Sequence, residues 1–264
     1  MKTYAELRTT NLERIILMHK EQVVNQMKEL HLSAMAQAFI TRLDNGDQNS
    51  LSAEEFVAVL VEDEYSERYN RKLARMIARA NFKPEQACFE NINYAPSRGF
   101  DKKMMTQFTT DSWIKNVQNI IITGPTGSGK TYVAEAIGLH AIKLGYTALK
   151  IRYRLLFEQI NNAKGVGMYL KHLKKIAAVK VLIIDDFVMH QIQQEDLSNL
   201  MDLIEERDQN GPLIITTQIP ISKWHQKLPD PTIADAICDR LVHHAVKINL
   251  EGESMRKLKK ISPK

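Results

Sequence analysis

The stretch IIITGPTGSGKTYVAEAIG, residues Ile120 to Gly138, limits the possible folds more than any other part of this chain. An apolar run of strand type enters a glycine-rich turn. A helical pattern follows at once, with Val133, Ile137, Ala141 and Leu144 on one face, and ends near Gly145. Gly124, Gly129, Lys130 and Thr131 match the spacing GxxxxGK[ST]. Glycines let a backbone take conformations closed to other residues, so its amides can surround phosphate oxygens at the positive end of the next helix. Lys130 is placed to reach the β and γ phosphates, and the Thr131 hydroxyl to ligate Mg²⁺. The whole turn, Gly124, Pro125, Thr126, Gly127, Ser128, Gly129, Lys130 and Thr131, is therefore expected to hold a nucleoside triphosphate with Mg²⁺.

From Val117 onward, five β-rich runs alternate with helical patterns: VQNIIIT, YTALKIR, KVLIIDD, PLIITTQ and AVKINL. Several are apolar without alternation, which implies strands buried on both faces of a mostly parallel sheet covered by helices. The chain is thus expected to be α/β over residues 117–264, and helical before that. In LERIILMHKEQVVNQMKEL, Leu12, Ile15, Ile16, His19 and Val23 recur at three- and four-residue steps, and Ser52 and Glu55 are spaced as a capping box. The Pro, Asn and Gly content after Phe82 reads as a linker. The expected organisation is a helical domain over 1–83, a linker and entry over 84–116, and the nucleotide domain over 117–264.

A second constellation decides what happens to the nucleotide. VLIIDDF is an apolar strand with two carboxylates at its carboxyl end, where an open α/β sheet places its ligands. Asp185 is expected to hold the metal, and Asp186 to polarise the attacking water. Thr216, Thr217 and Gln218 end the neighbouring run, placed to sense a γ-phosphate or orient its water. An additional run, YTALKIR, lies between the phosphate loop and the acidic strand, and this suits hydrolytic NTPases that move or assemble polymers better than small-molecule kinases.

Charge points to a partner. Residues 1–90 hold 12 Lys and Arg against 14 Asp and Glu, so the remaining 24 and 17 supply the whole net charge of +5. Between Lys150 and Lys180 the chain is dense in Lys and Arg and holds one acid, Glu158. Lys150, Arg152, Arg154, Lys164, Lys171, Lys174 and Lys175 are candidates for contacts to duplex phosphates without base reading. Arg68, Lys72, Arg75 and Arg79 form a second basic helix face. No run approaches a membrane span, and the amino terminus lacks a signal-peptide pattern, so a cytoplasmic protein is expected; binding of DNA by the basic run would make it nucleoid-associated. Cys88 and Cys238 have neither disulfide-framework nor zinc spacing and read as small buried residues.

In this order, GPTGSGKT, LIIDDF, ITTQIPISKWH, DPTIADAICDRLVHHA and GESMRK resemble the IstB-like helper ATPases of bacterial insertion sequences, in the DnaC/DnaA-related branch of AAA+ proteins. The resemblance runs from about Leu30 to Lys257. It implies an AAA+ core with a five-stranded parallel sheet sandwiched by helices, without a large carboxyl-terminal lid. It also makes the nucleotide ATP, and implies a DNA-stimulated ATPase that forms homo-oligomers on duplex DNA, deforms it and directs a cognate transposase. Arg240 then resembles an arginine finger offered to a neighbouring subunit, and Arg256 a second nucleotide sensor. Lys130, Asp186, Gln218 and Arg240 make up the implied catalytic set. Gln218 departs from the Asn that many AAA+ proteins carry, and residues 1–29 extend beyond the usual start. A helicase loader of the DnaC type and a metabolic P-loop kinase are the alternative readings.

Overall fold

The computed structural model describes residues 19–47, 50–83, 87–208 and 210–255, so Leu12, Ile15, Ile16 and Arg256 lie outside the described residues. Two compact units divide the chain, residues 1–74 and residues 75–264.

In the first unit residues 19–29 are helical, and α1 (Ser33–Asn45) and the start of the long helix α2 (Ala53–Arg79) follow. The capping box at the start of α2 forms: the Ser52 N–H donates to Glu55 Oε2 at 2.8 Å, and the Glu55 N–H to Ser52 Oγ at 3.3 Å. Helix α1 has no cap from its own sequence, because Leu32 stands at that position. Glu64 of α2 supplies it instead, its Oε2 accepting from the amides of Ala34 and Met35 at 2.9 Å each. The Glu64 side chain is buried, and Arg68 donates to its other oxygen at 2.7 Å. Burial is the largest influence on this carboxyl and pushes its pKa up; Arg68 and the two amides together still bring it below the ordinary value.

The second unit contains one fully parallel sheet. Its strands are β1 (Ile120–Thr123), β2 (Ala148–Arg152), β3 (Val181–Asp185), β4 (Leu213–Thr217) and β5 (Val246–Asn249), in the order β2-β3-β4-β1-β5. All five expected runs become strands. Ile120, Ile121, Ile122, Leu182, Ile183, Ile214 and Ile215 are fully buried, which explains why these strands read as continuous apolar runs. The connecting helices are α3 (Lys130–Lys143), α4 (Tyr153–Gly165), α5 (Tyr169–Ala177), α6 (Gln194–Arg207) and α7 (Pro231–Val242). Arg207 is buried at the end of α6, and its guanidinium donates to the carbonyls of Ala177, Val179, Lys180, Gly211 and Pro212. One cation thereby ties together the chain ends that enter β3 and β4, and burial lowers its pKa to about 10.

The stretch with linker composition is built into this unit. Phe100, Met105, Phe108, Trp113 and Ile114 are buried, and the Pro, Asn and Gly residues around them form the turns between short helical segments. Both cysteine thiols are free, as expected, but they are only partly buried instead of fully so, and burial pushes the Cys238 thiol up. Among the described residues no helix is long and apolar enough to cross a membrane.

Because Glu64 caps a helix that cannot cap itself, Glu64→Ala should cost about 0.5–2 kcal/mol, the range for a missing helix cap, and speed hydrogen exchange at the Ala34 and Met35 amides. A carboxyl held below its unfolded value near 4.5 stabilises fully above that pH and loses the effect as pH falls through the folded value. Amide protection at Ala34 and Met35 should therefore decline below pH about 4.5 in the native chain. Exchange at these amides equal in native and variant chains would contradict the capping role.

Candidate nucleotide site and nucleic-acid surface

Strand β1 ends at Thr123, and the phosphate loop bridges directly to α3, which begins at Lys130. Gly124 has φ +150° and Gly127 φ +80°. A Cβ on Gly127 would fall on the side chain of Ser254, and one on Gly124 would meet the carbonyl of Leu250. Both positions thus need glycine for backbone and for space. Lys130 is buried, and its ammonium donates to the carbonyls of Gly124 and Pro125 at 2.8 and 2.9 Å, holding the loop in a closed arc.

The two acids at the end of β3 are brought to this loop, each by a different contact. Asp185 is buried, and its Oδ1 accepts from the hydroxyls of Thr131, at 2.9 Å, and Thr216. Asp186 adopts φ +59°, and its amide donates to Thr216 Oγ1 at 3.2 Å. A left-handed conformation at a non-glycine residue is uncommon, and it turns the strand sharply at the cleft. Thr216 therefore positions both acids. Thr217 faces away: it is buried and donates to the Phe187 carbonyl at 2.8 Å, so it takes no part in the cleft. Gln218 does line the cleft, where its Oε1 accepts from the Thr126 hydroxyl.

The cleft has a volume of about 600 Å³. Phosphate-loop residues, Asp185, Asp186 and Gln218 line one part, and Asn91, Ile92, Asn93 and Phe100 line another. Asp185 beside the Thr131 hydroxyl is a hard-oxygen pair of the kind that Mg²⁺ uses when phosphate and water complete its shell, so these residues fit that ion.

Arg98 was not legible as a site residue. It is buried in the cleft wall, and its guanidinium donates to the carbonyls of Ser128 and Glu253. Its Nε and the Ser128 hydroxyl are buried with no hydrogen-bond partner among the described residues. Burial lowers the arginine pKa, and a buried cation served only by carbonyls gains from a nearby anion. It comes from the turn PSRG, 30 residues before Ser128, where composition reads as linker and no spacing marks it. Residues 250–255 clasp the loop from the other side. The Leu250 amide donates to the Thr123 carbonyl at 2.8 Å, Glu251 to Arg98 at 2.9 Å, and Met255 to Gly127 at 2.9 Å. The residues before Arg256 thus reach the phosphate loop.

Several predicted residues take other places. Lys150 turns inward to an ion pair with the buried Glu135 and lines the cleft, so it is not a surface contact. Arg68 is engaged by Glu64 and the His31 carbonyl, and Lys164 by Glu195 at 2.8 Å. Arg154 pairs with Glu158 one turn away, where both remain exposed. Arg152, Lys171, Lys174 and Lys175 are exposed, as are Lys72, Arg75 and Arg79. Arg240 is half-exposed at the other end of the sheet: its carbonyl accepts from Asn119, the residue before β1, and its guanidinium pairs with Glu205 at 3.2 Å. The four residues of β1, roughly 13 Å at about 3.3 Å per residue, separate Asn119 from the phosphate loop.

The model of the IstB-like ATP binding proteins matches residues 25–262. The chain belongs to this family. A Sinorhizobium fredii protein named as an insertion sequence ATP-binding protein is 35% identical over 242 residues, 92% of this chain and 97% of the relative. A Pseudomonas fluorescens ATP-binding protein of insertion sequence IS1162 is 32% identical, over 78% of this chain and 89% of its own. Among solved structures, AMPPCP-bound DnaA from Aquifex aeolicus superposes with a TM-score of 0.54 at 16% identity, over 68% of this chain and 56% of DnaA. The DnaC helicase loader gives 0.54 at 15% identity, over 63% and 98%. These likenesses establish the AAA+ fold.

If Arg98 supports the bound phosphates, Arg98→Ala should weaken ATP affinity about 10-fold or more, the scale of one missing hydrogen bond to a charged group. Titration with a fluorescent ATP analogue and Mg²⁺ measures this. Unchanged affinity would leave Arg98 only the task of joining Ser128 to Glu253.

Proposed function

We propose that this chain is an ATP-hydrolysing regulator of DNA transposition. It assembles on duplex DNA in its ATP-bound form, deforms that DNA and directs a cognate transposase to it, and hydrolysis releases the assembly. The observation that carries this reading is the division of the hydrolytic set across the sheet. Asp185, Asp186 and Gln218 face the phosphate loop, whereas Arg240 lies beyond the other end of β1. If Arg240 acts as the finger that the family resemblance implies, this position assigns it to another subunit's nucleotide, and turnover then requires assembly.

Within one cleft the roles follow from the contacts. The phosphate-loop amides and Lys130 hold the triphosphate, and Thr131 with Asp185 would hold Mg²⁺, which would neutralise phosphate charge as it develops. Asp186, at the sharp turn after β3, accepts a hydrogen bond from the attacking water. Gln218, already bonded to Thr126 of the loop, reports whether the γ-phosphate is present and orients that water. The relatives' names, as ATP-binding proteins of insertion sequences, support the transposition reading over helicase loading.

The direct test of the reading is ATP hydrolysis with and without duplex DNA: stimulation supports it, and equal rates oppose it. A second expectation separates binding from chemistry. Asp186→Asn should bind ATP and assemble on DNA but turn over at least 100-fold more slowly, within the usual ~10²–10⁴-fold range for general acid–base groups. Asp185→Asn should weaken Mg²⁺-dependent ATP binding itself. Identical defects would contradict this assignment. Finally, Arg240→Ala and Lys130→Ala proteins should each be inactive, and mixing them should restore part of the activity through mixed sites. Mixed oligomers that form without any hydrolysis would exclude action between subunits.

A further inference from the structure

Helices α4 and α5 meet in a turn whose surface contrasts with its base. At the base, Lys164 pairs with Glu195, Asn161 donates to Asp196 at 3.0 Å, and the Tyr169 hydroxyl donates to Asp202, all three acids belonging to α6. The Lys164 ammonium also lies 4.9 Å from the centre of the Tyr169 ring. The turn itself is ordered by its own backbone. The Met168 amide donates to Ala163 at 2.7 Å and the Gly167 amide to Lys164 at 3.0 Å, with Gly167 at φ +69°. This double closure is a Schellman motif, which ends a helix in a fixed geometry. A Cβ added to Gly165 or Gly167 would meet nothing within 4 Å, so the turn stands clear of the rest of the unit.

On this rigid projection three large apolar side chains face solvent within five residues: Val166 is 73% exposed, Met168 43% and Leu170 65%. One exposed aliphatic residue needs no explanation, but a cluster does. Immediately after it Lys171, Lys174 and Lys175 share an exposed face of α5, and none has an ion-pair partner among the described residues. Leu173, Ile176 and Ala177 on the other face are buried, which fixes the direction in which the lysines point.

An apolar tip beside free cations suits a polyanion with an apolar interior, and the stacked bases of a duplex behind their phosphates meet that description. We propose that the α4–α5 turn is a DNA-bending wedge. Val166, Met168 and Leu170 press into a base step and unstack it, while Lys171, Lys174 and Lys175 hold the flanking phosphates. Apolar wedges of this kind kink duplexes, at a cost in unstacking that the added contacts offset. The rigid base is what lets the tip transmit force instead of folding away. This proposal rests on the DNA-binding reading above and adds to it the group that deforms the duplex.

The test uses the full chain with a slowly hydrolysed ATP analogue and duplexes of about 30 bp, long enough to contain one protein-induced bend. These duplexes carry 2-aminopurine at several positions and dyes at both ends. Three proteins are compared: wild type, the triple variant Val166→Ser, Met168→Ser, Leu170→Ser, and the triple variant Lys171→Gln, Lys174→Gln, Lys175→Gln. The serine variant should lose most of the 2-aminopurine signal and the bend. It should keep ATP-analogue affinity, and keep the salt dependence of DNA affinity within error. The glutamine variant should flatten that dependence, by roughly 0.9 in log–log slope for each phosphate no longer neutralised. A conservative Val166→Ile, Met168→Leu, Leu170→Met variant should retain both signals. Full unstacking and bending by the serine variant would overturn the wedge while leaving DNA binding intact. Wild type that binds no duplex would overturn both readings. A serine variant that loses self-association without DNA in sedimentation, or loses only anionic-vesicle binding, would assign the tip to a protein or lipid surface instead.

Discussion

The carboxylate of Asp185 is the contact on which the nucleotide end of the sheet depends. Through the Thr131 hydroxyl it fixes the start of α3, and through the Thr216 hydroxyl it fixes the end of β4. Three consecutive layers of the site, loop, acidic strand and sensor strand, are therefore held by one oxygen. Thr216 extends the arrangement by accepting from the Asp186 amide, which sets the left-handed turn that brings the second acid to the cleft. Gln218, two residues after Thr216, is tied to the loop separately, through the Thr126 hydroxyl. Thr131, Asp185, Thr216 and the Asp186 amide are in this way parts of a single hydrogen-bonded unit.

Much of this was legible in the sequence, for physical reasons that differ by element. The five strands could be read because burial on both faces leaves continuous apolar runs such as Ile120–Ile122 and Val181–Ile184. The phosphate loop could be read because its backbone demands are local, as at Gly124 and Gly127. What could not be read depends on contacts distant in sequence. Arg98 gains its place only when the 87–115 stretch packs against the sheet, and Glu64 becomes the cap of α1 only when two helices meet. Local patterning also misassigns residues when a distant partner claims them. Lys150 reads as one of a basic run, yet the buried Glu135 on α3 draws it into the cleft. Thr217 reads as a strand-tip polar group, yet it bonds the backbone behind it.

The basic surface is similarly narrower than its sequence density. Once Lys150, Arg154 and Lys164 are assigned to acids of the same unit, the exposed cations of the 150–180 run without an ion-pair partner among the described residues are Arg152 and three lysines of α5, next to the apolar turn. The cleft and this surface lie on the same sheet order: β2 and β3 flank the α4–α5 pair in sequence, and Asp185 ends β3. Arg152 is opposite Asp185 in the β2–β3 register and lines the cleft, so the element that leads into the basic helices begins at the cleft wall.

In the proposed function, nucleotide bound at sites shared between subunits governs assembly on duplex DNA. Electron microscopy of the purified chain, with and without a slowly hydrolysed ATP analogue and with and without duplex DNA, tests it most directly. Regular multimers that require the analogue and that enclose or coat DNA are expected, with Arg240 of one subunit at the nucleotide of the next. A monomer under all four conditions, or assemblies indifferent to nucleotide, would contradict it.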